Sequence, residues 1–469
     1  MTTTAHAPDS VDGLLTPEAV RERCSEILLA GLDGDLPWFN IDMSKLSDAA
    51  SRVVTEIENN YPSGNVPFHS RWRHFEQGDT DLWADMAAAR GLTGSDLAVA
   101  AGDLAIVSVL LDAGAGPDWI YTDDATGLRL GRSEGLALAS LRLFESGLLS
   151  ADKNDPLRAD ASALSSLTAE TLGRIFQVTD HNPLVGLEQR AGLLRKLGDA
   201  IRKHPSLYAR DGAVRPGNLI AALAQRPGLE ARDILVTVLS SLMDIWPSPV
   251  RIDGRPLGDV GDHSALIRSD ATNGIVPFHK LSQWLSYSLI EPLEQFGITV
   301  SDLDGLTGLA EYRNGGLLID AGLLTLRDKT SLSLAHTPSS ELIVEWRALT
   351  VALLDRLAND VRTSLNKSAK DLPLASILQG GTWSAGRKIA AELACRLLPG
   401  ASMQRLGVQQ QAVQVKQAGV RWVGDLVQRK PLCLLWLLAA WATAMVLFSA
   451  CCLNHTDALT GLPTAVPAP

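Results

Sequence analysis

Residues 339–364 read SSELIVEWRALTVALLDRLANDVRTS, and this stretch decides the fold class. Its Leu, Ile, Val and Ala residues recur at intervals of three and four, the spacing that places side chains on one face of a helix. Glu341 and Glu345 are four residues apart and share a face, whereas Glu345 and Arg347 cannot face each other. Charges in so apolar a helix are rarely buried without partners. The stretch predicts a long core helix whose charged residues form an internal ion-pair network or act in a site.

The same spacing predicts further helices in the preceding part of the chain. They are Pro17–Leu32, Ser95–Ala113, Ser133–Ser146, Pro183–His204, Leu229–Met243 and Pro277–Phe296. Strand signals are sparse, and the best are Leu317–Asp320 and Leu323–Leu326, which are predicted to pair as a hairpin. The fold class that follows is mainly α: a multi-helical globular body with at most a small β-hairpin, plus a C-terminal apolar segment.

Composition separates a folded body from a tail. The chain has 469 residues, of which 46% are hydrophobic, enough for a large packed core. We predict a disordered N-terminus over 1–14, a helical body over 15–393 with a sub-boundary at 150–165, and a linker over 394–430. Residues 454–469 are predicted to be disordered.

The tail contains an uncharged stretch at 431–453, which reads PLCLLWLLAAWATAMVLFSACCL. At about 1.5 Å per residue it would span about 34 Å as a helix, enough to cross a bilayer core. Arg421, Arg429 and Lys430 precede it, so a membrane anchor here would leave the body in the cytoplasm. The alternative is a frameshift-derived tail, because composition changes abruptly near Ala394.

Charge and cysteine usage narrow the classes of function. The net charge is −11, and the tail from Ala394 carries six Lys/Arg and two Asp/Glu, so residues 1–393 carry −15. An acidic body argues against nucleic-acid binding. Cys24 is the sole cysteine before the tail, which suits a reducing cytosol. No cysteine spacing of the metal-binding kind occurs, and we predict neither a metal nor a cofactor.

The tetrapeptide Val-Pro-Phe-His occurs at Val66–His69 and again at Val276–His279. Proline favours the first turn of a helix, so each copy is predicted to end a loop and start a helix whose positive end attracts anions. The first copy leads into four candidate substrate-binding residues, Arg71, Trp72, Arg73 and His74.

Three carboxylates are candidates for catalysis: Asp112, Glu311 and Glu345. Asp112 ends an apolar run and precedes a Gly-rich loop, where burial would tune its pKa; the alternative is a plain helix end. Glu311 opens a polar loop that offers Tyr312, Arg313 and Asn314 as ligand-binding groups.

Other polar stretches have simpler explanations. Asn182–Arg190 fits a capped helix, and Leu257–His263 fits a turn better than a metal site. Gln379–Lys388 is a Gly-rich stretch that could cradle a phosphate with Arg387, although it lacks the standard spacings. Asp118, Trp119 and Arg347 complete the candidate substrate-binding residues.

Taken together, these segments resemble the uracil catabolism protein 4 family, or domain of unknown function 1688. The resemblance is carried by Val66–Phe75, Asp112–Trp119, Arg132–Leu136, Asn182–Arg190, Ile245–Pro247, Leu257–Asp259, Val276–Leu285, Leu306–Leu318, Glu341–Leu349 and Ile377–Ile389. Past Glu392 the chain departs from the family pattern, which favours the frameshift interpretation of the tail.

The resemblance implies a place in pyrimidine degradation, beside a partner similar to GTP cyclohydrolase that opens the uracil ring. The expected intermediate is a ribosylurea, free or phosphorylated. We hypothesise that this protein splits it as an N-glycoside hydrolase, because the oxocarbenium-like state of that reaction needs a carboxylate. Residue type assigns phosphate binding to Arg71, Arg73, Arg313 and Arg387, and pocket walls to Trp72, Trp119 and Tyr312.

Two alternatives remain open at this point. A metal-dependent amidohydrolase of the same pathway would need more clustered histidines than His69, His74 and His263 provide. A non-catalytic partner of the ring-opening enzyme, acting at a membrane through 431–453, would tolerate the loss of the candidate carboxylates.

Overall fold

The computed structural model describes residues 11–78, 80–248, 250–334 and 336–396, and they are predominantly helical. The α-helices, in chain order, are α1 Pro17–Asp33, α2 Leu46–Asn60, α3 Leu82–Ala89, α4 Gly94–Leu110, α5 Arg132–Glu145, α6 Ala161–Ser166, α7 Ala169–Ile175, α8 Leu187–Lys203, α9 Pro205–Tyr208, α10 Asn218–Leu223, α11 Ala231–Leu242, α12 Lys280–Gln295, α13 Tyr312–Asp320, α14 Glu341–Leu365, α15 Leu374–Ile377 and α16 Trp383–Arg396. Short 3₁₀ turns lie at Gly13–Leu15, Met43–Lys45, Arg71–His74, Met243–Ile245, Leu303–Gly305 and Lys329–Ser333, and a π-helical turn lies at Leu378–Thr382.

The strands are short and pair two by two in antiparallel fashion. They are β1 Phe39–Ile41, β2 Glu76–Gln77, β3 Thr80–Asp81, β4 Ile120–Thr122, β5 Arg129–Gly131, β6 Ala209–Arg210, β7 Ala213–Val214, β8 Arg251–Ile252, β9 Arg255–Pro256, β10 Val260–Asp262, β11 Ile275–Pro277 and β12 Leu324–Leu326. Within the described residues β1 pairs with β12, and each other strand pairs with its neighbour in sequence. The expectation of at most one small hairpin was therefore too low.

The predicted hairpin between Leu317–Asp320 and Leu323–Leu326 is wrong in its first half. Leu317–Asp320 is the last part of α13, and β12 pairs with β1 instead. The apolar run was too short to distinguish a strand from a buried helix end. Leu317 and Leu318 are both fully buried, as either assignment requires.

The long predicted helix at 339–364 is confirmed as α14, and it packs against α1, α2 and α13. The second Val-Pro-Phe-His copy is corrected: Val276 and Pro277 lie in β11, and α12 begins only at Lys280. Pro277 therefore starts no helix. The first copy is followed by the 3₁₀ turn Arg71–His74.

The charged residues of α14 form an internal network, one of the two alternatives for this helix. Oε1 of Glu345 accepts the backbone N–H groups of Trp38, at 3.2 Å, and Phe39, at 2.7 Å. Oε2 lies 2.9 Å from Nε2 of His263. Nδ1 of His263 accepts the N–H of Ala265, so Nε2 carries the proton and donates it to Glu345. Glu345 thereby connects the strand β1 to α14.

The N-terminal residues that the structure describes pack onto the helical body. Leu14 is fully buried with Ile252, Leu257, Val260 and Ile275, so residues 13 and 14 belong to the folded body rather than to a disordered terminus. The predicted linker begins three residues too early, because residues 394–396 are the end of α16. Residues 1–10 and 397–469 lie outside the described residues, and with them the rest of the predicted linker, the apolar segment and the disordered end. None of the described helices combines the length and apolar character that crossing a membrane requires.

The predicted sub-boundary at 150–165 packs onto the rest of the body. The backbone N–H of Ala159 donates to Oδ2 of Asp103, a fully buried carboxylate on α4, at 3.1 Å. Asp160 is also buried and pairs with Arg158. All described residues fall within one compact unit.

Candidate functional site

A cavity of about 450 Å³ lies where the end of α4, the first half of α8, the start of α12 and α14 come together. Its polar lining residues are Asp112, Gln189, Arg190, Lys196, Trp246, Asp259, His279, Ser282, Ser339 and Arg347. This volume falls in the range of small-molecule sites. We call it the main cavity.

Asp112 is the one candidate carboxylate that lines the main cavity. The hydroxyl of Ser133, in the first turn of α5, lies 2.8 and 2.7 Å from its two oxygens and donates to them. Nη1 of Arg71 lies 3.5 Å from Oδ2. Burial alone would raise the pKa of Asp112, but the charge of Arg71, together with His74 and Ser133, outweighs it and holds the pKa below its ordinary value. Asp112 is therefore ionised at neutral pH.

The guanidinium of Arg71 is fully buried beside Asp112. Nε donates to Ser108 at 2.6 Å, and Nη1 lies within 3.4 Å of both oxygens of Ser133. The guanidinium carbon lies 5.5 Å from the ring centre of Trp284, whose ring also meets His74 edge-on at 5.9 Å. We call Arg71, His74, Asp112, Ser133 and Trp284 the polar centre.

His74 is neutral at physiological pH. Burial and the nearby charge of Arg71 lower its pKa to about 3. It therefore offers one N–H donor and one acceptor to a ligand rather than a positive charge.

A second carboxylate, Asp259, lies elsewhere on the cavity wall. Arg347 binds it with two parallel hydrogen bonds of 2.9 and 2.7 Å, and the backbone N–H of Lys280 donates to it at 3.0 Å. Arg347 also stacks over Phe278 at 4.0 Å. Burial opposes ionisation, but Arg347 and the amide of Lys280 dominate and lower the pKa of Asp259 to about 2. Arg347 thus positions Asp259 at the start of α12.

Arg190 supplies a positive charge to the main cavity, and its guanidinium is hydrogen-bonded to backbone oxygens. It donates to the carbonyls of Leu111, Ala113, Gly114 and Val185. Burial lowers its pKa to about 10, so it remains a cation at neutral pH. This arrangement fixes the loop after α4 and therefore the position of Asp112.

The predicted polar loop after Glu311 is corrected, because Tyr312, Arg313 and Asn314 form the first turn of α13. Arginines and aromatic rings stack on one another there, in a group that is separate from the main cavity. The guanidinium of Arg313 stacks over the ring of Trp383 at 3.9 Å and lies 5.6 Å from the ring centre of Tyr312. The guanidinium of Arg387 also lies over the ring of Trp383, at 5.0 Å. Glu311 is the N-cap of α13 and accepts two backbone N–H groups. Nδ1 of His69 lies 2.9 Å from Oε1 of Gln379, four residues before Trp383, and the His69 ring centre lies 6.3 Å from that of Trp284, so this group neighbours the polar centre.

Other sequence candidates hold structural positions. Trp119 donates to the carbonyl of Phe176 and stacks on its ring, and Asp118 is exposed on the same loop. Arg73 pairs with Glu76 and Glu291. Asn314 is buried and accepts a hydrogen bond from Thr382. Glu345 is bound to β1 and His263, as described above, and is not among the residues that line the main cavity.

Sequence reasoning missed several residues of the site, and their signals were weak. Asp259 lies in Leu257–His263, which the sequence analysis interpreted as a turn. His279 ends the second Val-Pro-Phe-His copy, which was interpreted as the start of a helix. His279 has a left-handed φ of 47° and donates Nε2–H to the carbonyl of Leu14. Trp284 and Lys196 follow helical spacing and carry no signal of their own.

No group of three or more His, Cys, Asp or Glu side chains in the described part of the chain is arranged to hold a metal ion. His263 is engaged with Glu345, and His69 lies 2.9 Å from Oε1 of Gln379. Two ionised carboxylates, Asp112 and Asp259, line the main cavity, and each is held by an arginine.

Comparisons with known proteins agree with the resemblance seen in the motifs. A family described as protein of unknown function, DUF1688, matches residues 13–398. The chain is 39% identical over 396 residues to Protein urg3 of Schizosaccharomyces pombe, covering 82% of this chain and 95% of that protein. It is 38% identical over 394 residues to Uracil catabolism protein 4 of Lachancea kluyveri, covering 76% of this chain and 89% of that protein. The chain therefore belongs to the DUF1688 family.

Proposed function

We propose that this protein acts in pyrimidine degradation and hydrolyses the N-glycosidic bond of a ribosylurea-type compound, free or phosphorylated, to release urea. The name of the Lachancea kluyveri relative supports the pathway. The proposed reaction joins water to the anomeric carbon of ribose and transfers a proton to the departing urea.

The observation that carries the proposal is the position and charge of Asp112. Its carboxylate lines a cavity of about 450 Å³ and is kept ionised by Arg71 and Ser133. Cleavage of an N-glycosidic bond passes through an oxocarbenium-like state, which a neighbouring carboxylate stabilises. A carboxylate with a lowered pKa is a weak base, so its main part is to stabilise that cation and to orient the attacking water.

The remaining cavity wall suits a sugar. Nε1 of Trp246 and Nε of Arg347 are buried, and neither has a hydrogen-bond partner among the described residues. Hydroxyl groups of a ribose would satisfy such donors, since buried polar groups are seldom left unpaired. Lys196, which is exposed and lines the cavity, would meet a phosphate on the substrate.

The test is to incubate the full-length protein with ribosylurea and with its 5′-phosphate and to measure urea. The Asp112→Asn variant should lose about 10²-fold or more in kcat, the size expected when a positioned acid–base or electrostatic group is removed. Asp124→Asn is the matched control, because Asp124 is exposed on the turn between β4 and β5. Circular dichroism and melting curves would establish that both variants fold.

Three results would contradict the proposal. Absence of urea release from either compound would favour a non-catalytic partner of the ring-opening enzyme. Release of ammonia instead of urea, abolished by a chelator, would favour a metal-dependent amidohydrolase, because that enzyme cuts a C–N bond of the ureido group itself. A folded Asp112→Asn variant with unchanged kcat would remove Asp112 from the reaction.

A further inference from the structure

Three buried nitrogen atoms of the polar centre lack hydrogen-bond partners within the described part of the chain. They are Nη2 of Arg71, Nδ1 of His74 and Nε1 of Trp284. Leaving a buried donor unpaired costs about 1–3 kcal/mol. Three such atoms on neighbouring side chains are therefore an expensive arrangement for a purely structural core.

One of these side chains, Arg71, lies 3.5 Å from Asp112. The other two are in contact with each other, and Trp284 also packs against Arg71. Arg71 uses Nε and Nη1 to bind Ser108 and Ser133, which leaves Nη2 as its remaining donor nitrogen. The Trp284 ring lies next to both the Arg71 guanidinium and the His74 ring. Trp284 is 5% exposed and the Arg71 side chain 0%, so bulk water does not solvate them. The donors are thus fixed and dry before any ligand arrives.

We propose that Arg71, Trp284 and His74 form a leaving-group subsite, in which their N–H groups bind the carbonyl oxygen of the departing ureido group. This inference rests on the proposed N-glycosidase function and specifies how the urea half of the substrate is recognised. The carbonyl of a urea accepts several hydrogen bonds, which matches the N–H groups of Arg71 and Trp284 and that of His74 in the tautomer protonated on Nδ1.

The subsite would act on the breaking of the C1′–N bond. When the C1′–N bond breaks, its electron pair passes to the ureido group and is delocalised onto the carbonyl oxygen. Hydrogen bonds to that oxygen are stronger in the transition state than in the bound substrate, because the oxygen gains negative charge as the bond breaks. This difference accelerates the reaction. Water then adds to C1′ and loses a proton, and the ureido nitrogen gains one, so that ribose and neutral urea leave.

Trp83 provides an internal comparison. Its Nε1 is also buried and without a hydrogen-bond partner in the described residues, but its ring packs against Trp72 and Phe144. It adjoins neither Asp112 nor a charged donor in those contacts. Trp83→Phe therefore removes the same kind of atom from a site where no ligand is expected.

The experiment compares Trp284→Phe with Trp83→Phe in the full-length protein. Both variants keep an aromatic ring, delete an unsatisfied N–H and leave a similar cavity in the core, so they should lower the melting temperature by similar amounts. On ribosylurea, Trp284→Phe should lower kcat by about 10²-fold, as expected for one oxyanion donor, and Trp83→Phe should leave kcat unchanged. On p-nitrophenyl β-ribofuranoside, whose leaving group is stable as an anion, the two variants should be equally active. His74→Phe should repeat the Trp284→Phe pattern.

The possible outcomes distinguish a wrong leaving-group subsite from a wrong N-glycosidase function. Equal kcat for both tryptophan variants on ribosylurea would overturn the subsite and leave the N-glycosidase intact. Equal losses on ribosylurea and the nitrophenyl riboside would also overturn it, because they would indicate a general defect. Failure of the unmodified protein to release urea would defeat the proposed function itself.

Discussion

The indole N–H of Trp72 donates to the backbone carbonyl of Ser288 at 2.8 Å. That carbonyl is four residues before Pro292, which lies inside α12 and has no N–H to offer it. Trp72 thus replaces the helical hydrogen bond that the proline removes. The interaction also fixes the 3₁₀ turn Arg71–His74 against α12, and this brings Arg71 next to Trp284.

Trp72→Phe is therefore expected to destabilise the fold. It leaves the carbonyl of Ser288 buried and unpaired, which should lower the free energy of unfolding by about 1–3 kcal/mol. Denaturation in guanidinium chloride is the measurement, since urea is the proposed product. Trp83→Phe serves as the control because its N–H makes no hydrogen bond with any described residue. Equal midpoints for the two variants would contradict the assignment.

A second expectation concerns stability in acid. The pKa of Asp259 is about 2 in the folded protein, against an ordinary value of 3.8. Because the folded value is the lower one, the carboxylate contributes stability above about pH 4, and that contribution is lost as the pH falls towards 2. Melting temperatures measured across this range should fall less steeply for Asp259→Asn than for the unmodified protein. Parallel curves would show that the pair with Arg347 does not govern the acid transition.

The helical architecture follows from sequence periodicity, but the partners of the buried charges do not. The pattern at 339–364 predicts α14 and requires partners for Glu345 and Arg347. Those partners, His263 and Asp259, lie 82 and 88 residues away along the chain. Only tertiary packing brings such pairs together, so a single sequence can state the need for a partner without naming it.

In the candidate site, too, the sequence predicted individual residues but not which of them lie together. Asp112 and Arg71 were both proposed from residue type, and the structure places them 3.5 Å apart. Trp284 is hidden from sequence reasoning because a tryptophan at helical spacing is normally a core residue. Its unsatisfied N–H becomes visible only when its neighbours are known.

Glu345→Gln should separate structure from catalysis. A glutamine oxygen can still accept the N–H groups of Trp38 and Phe39, but its amide N–H₂ would face Nε2–H of His263, donor against donor. We expect a loss of about 1–3 kcal/mol in stability and unchanged kcat per folded molecule. A large fall in kcat at full folding would restore Glu345 as a catalytic candidate. Urea release measured well below the melting temperature of the variant decides between them.

Substitution of Lys196 tests whether the cavity binds a phosphate group of the substrate. This side chain lines the main cavity and is exposed, and none of its contacts with described residues is an ion pair. Lys196→Gln should therefore raise KM for the 5′-phosphorylated substrate by about tenfold, equivalent to about 1.4 kcal/mol, and leave KM for free ribosylurea unchanged. Lys203→Gln is the matched control, because Lys203 lies on the same helix but pairs with Asp244 at 3.4 Å. If Lys196→Gln affects both substrates alike, or neither, the phosphate does not bind at this part of the cavity.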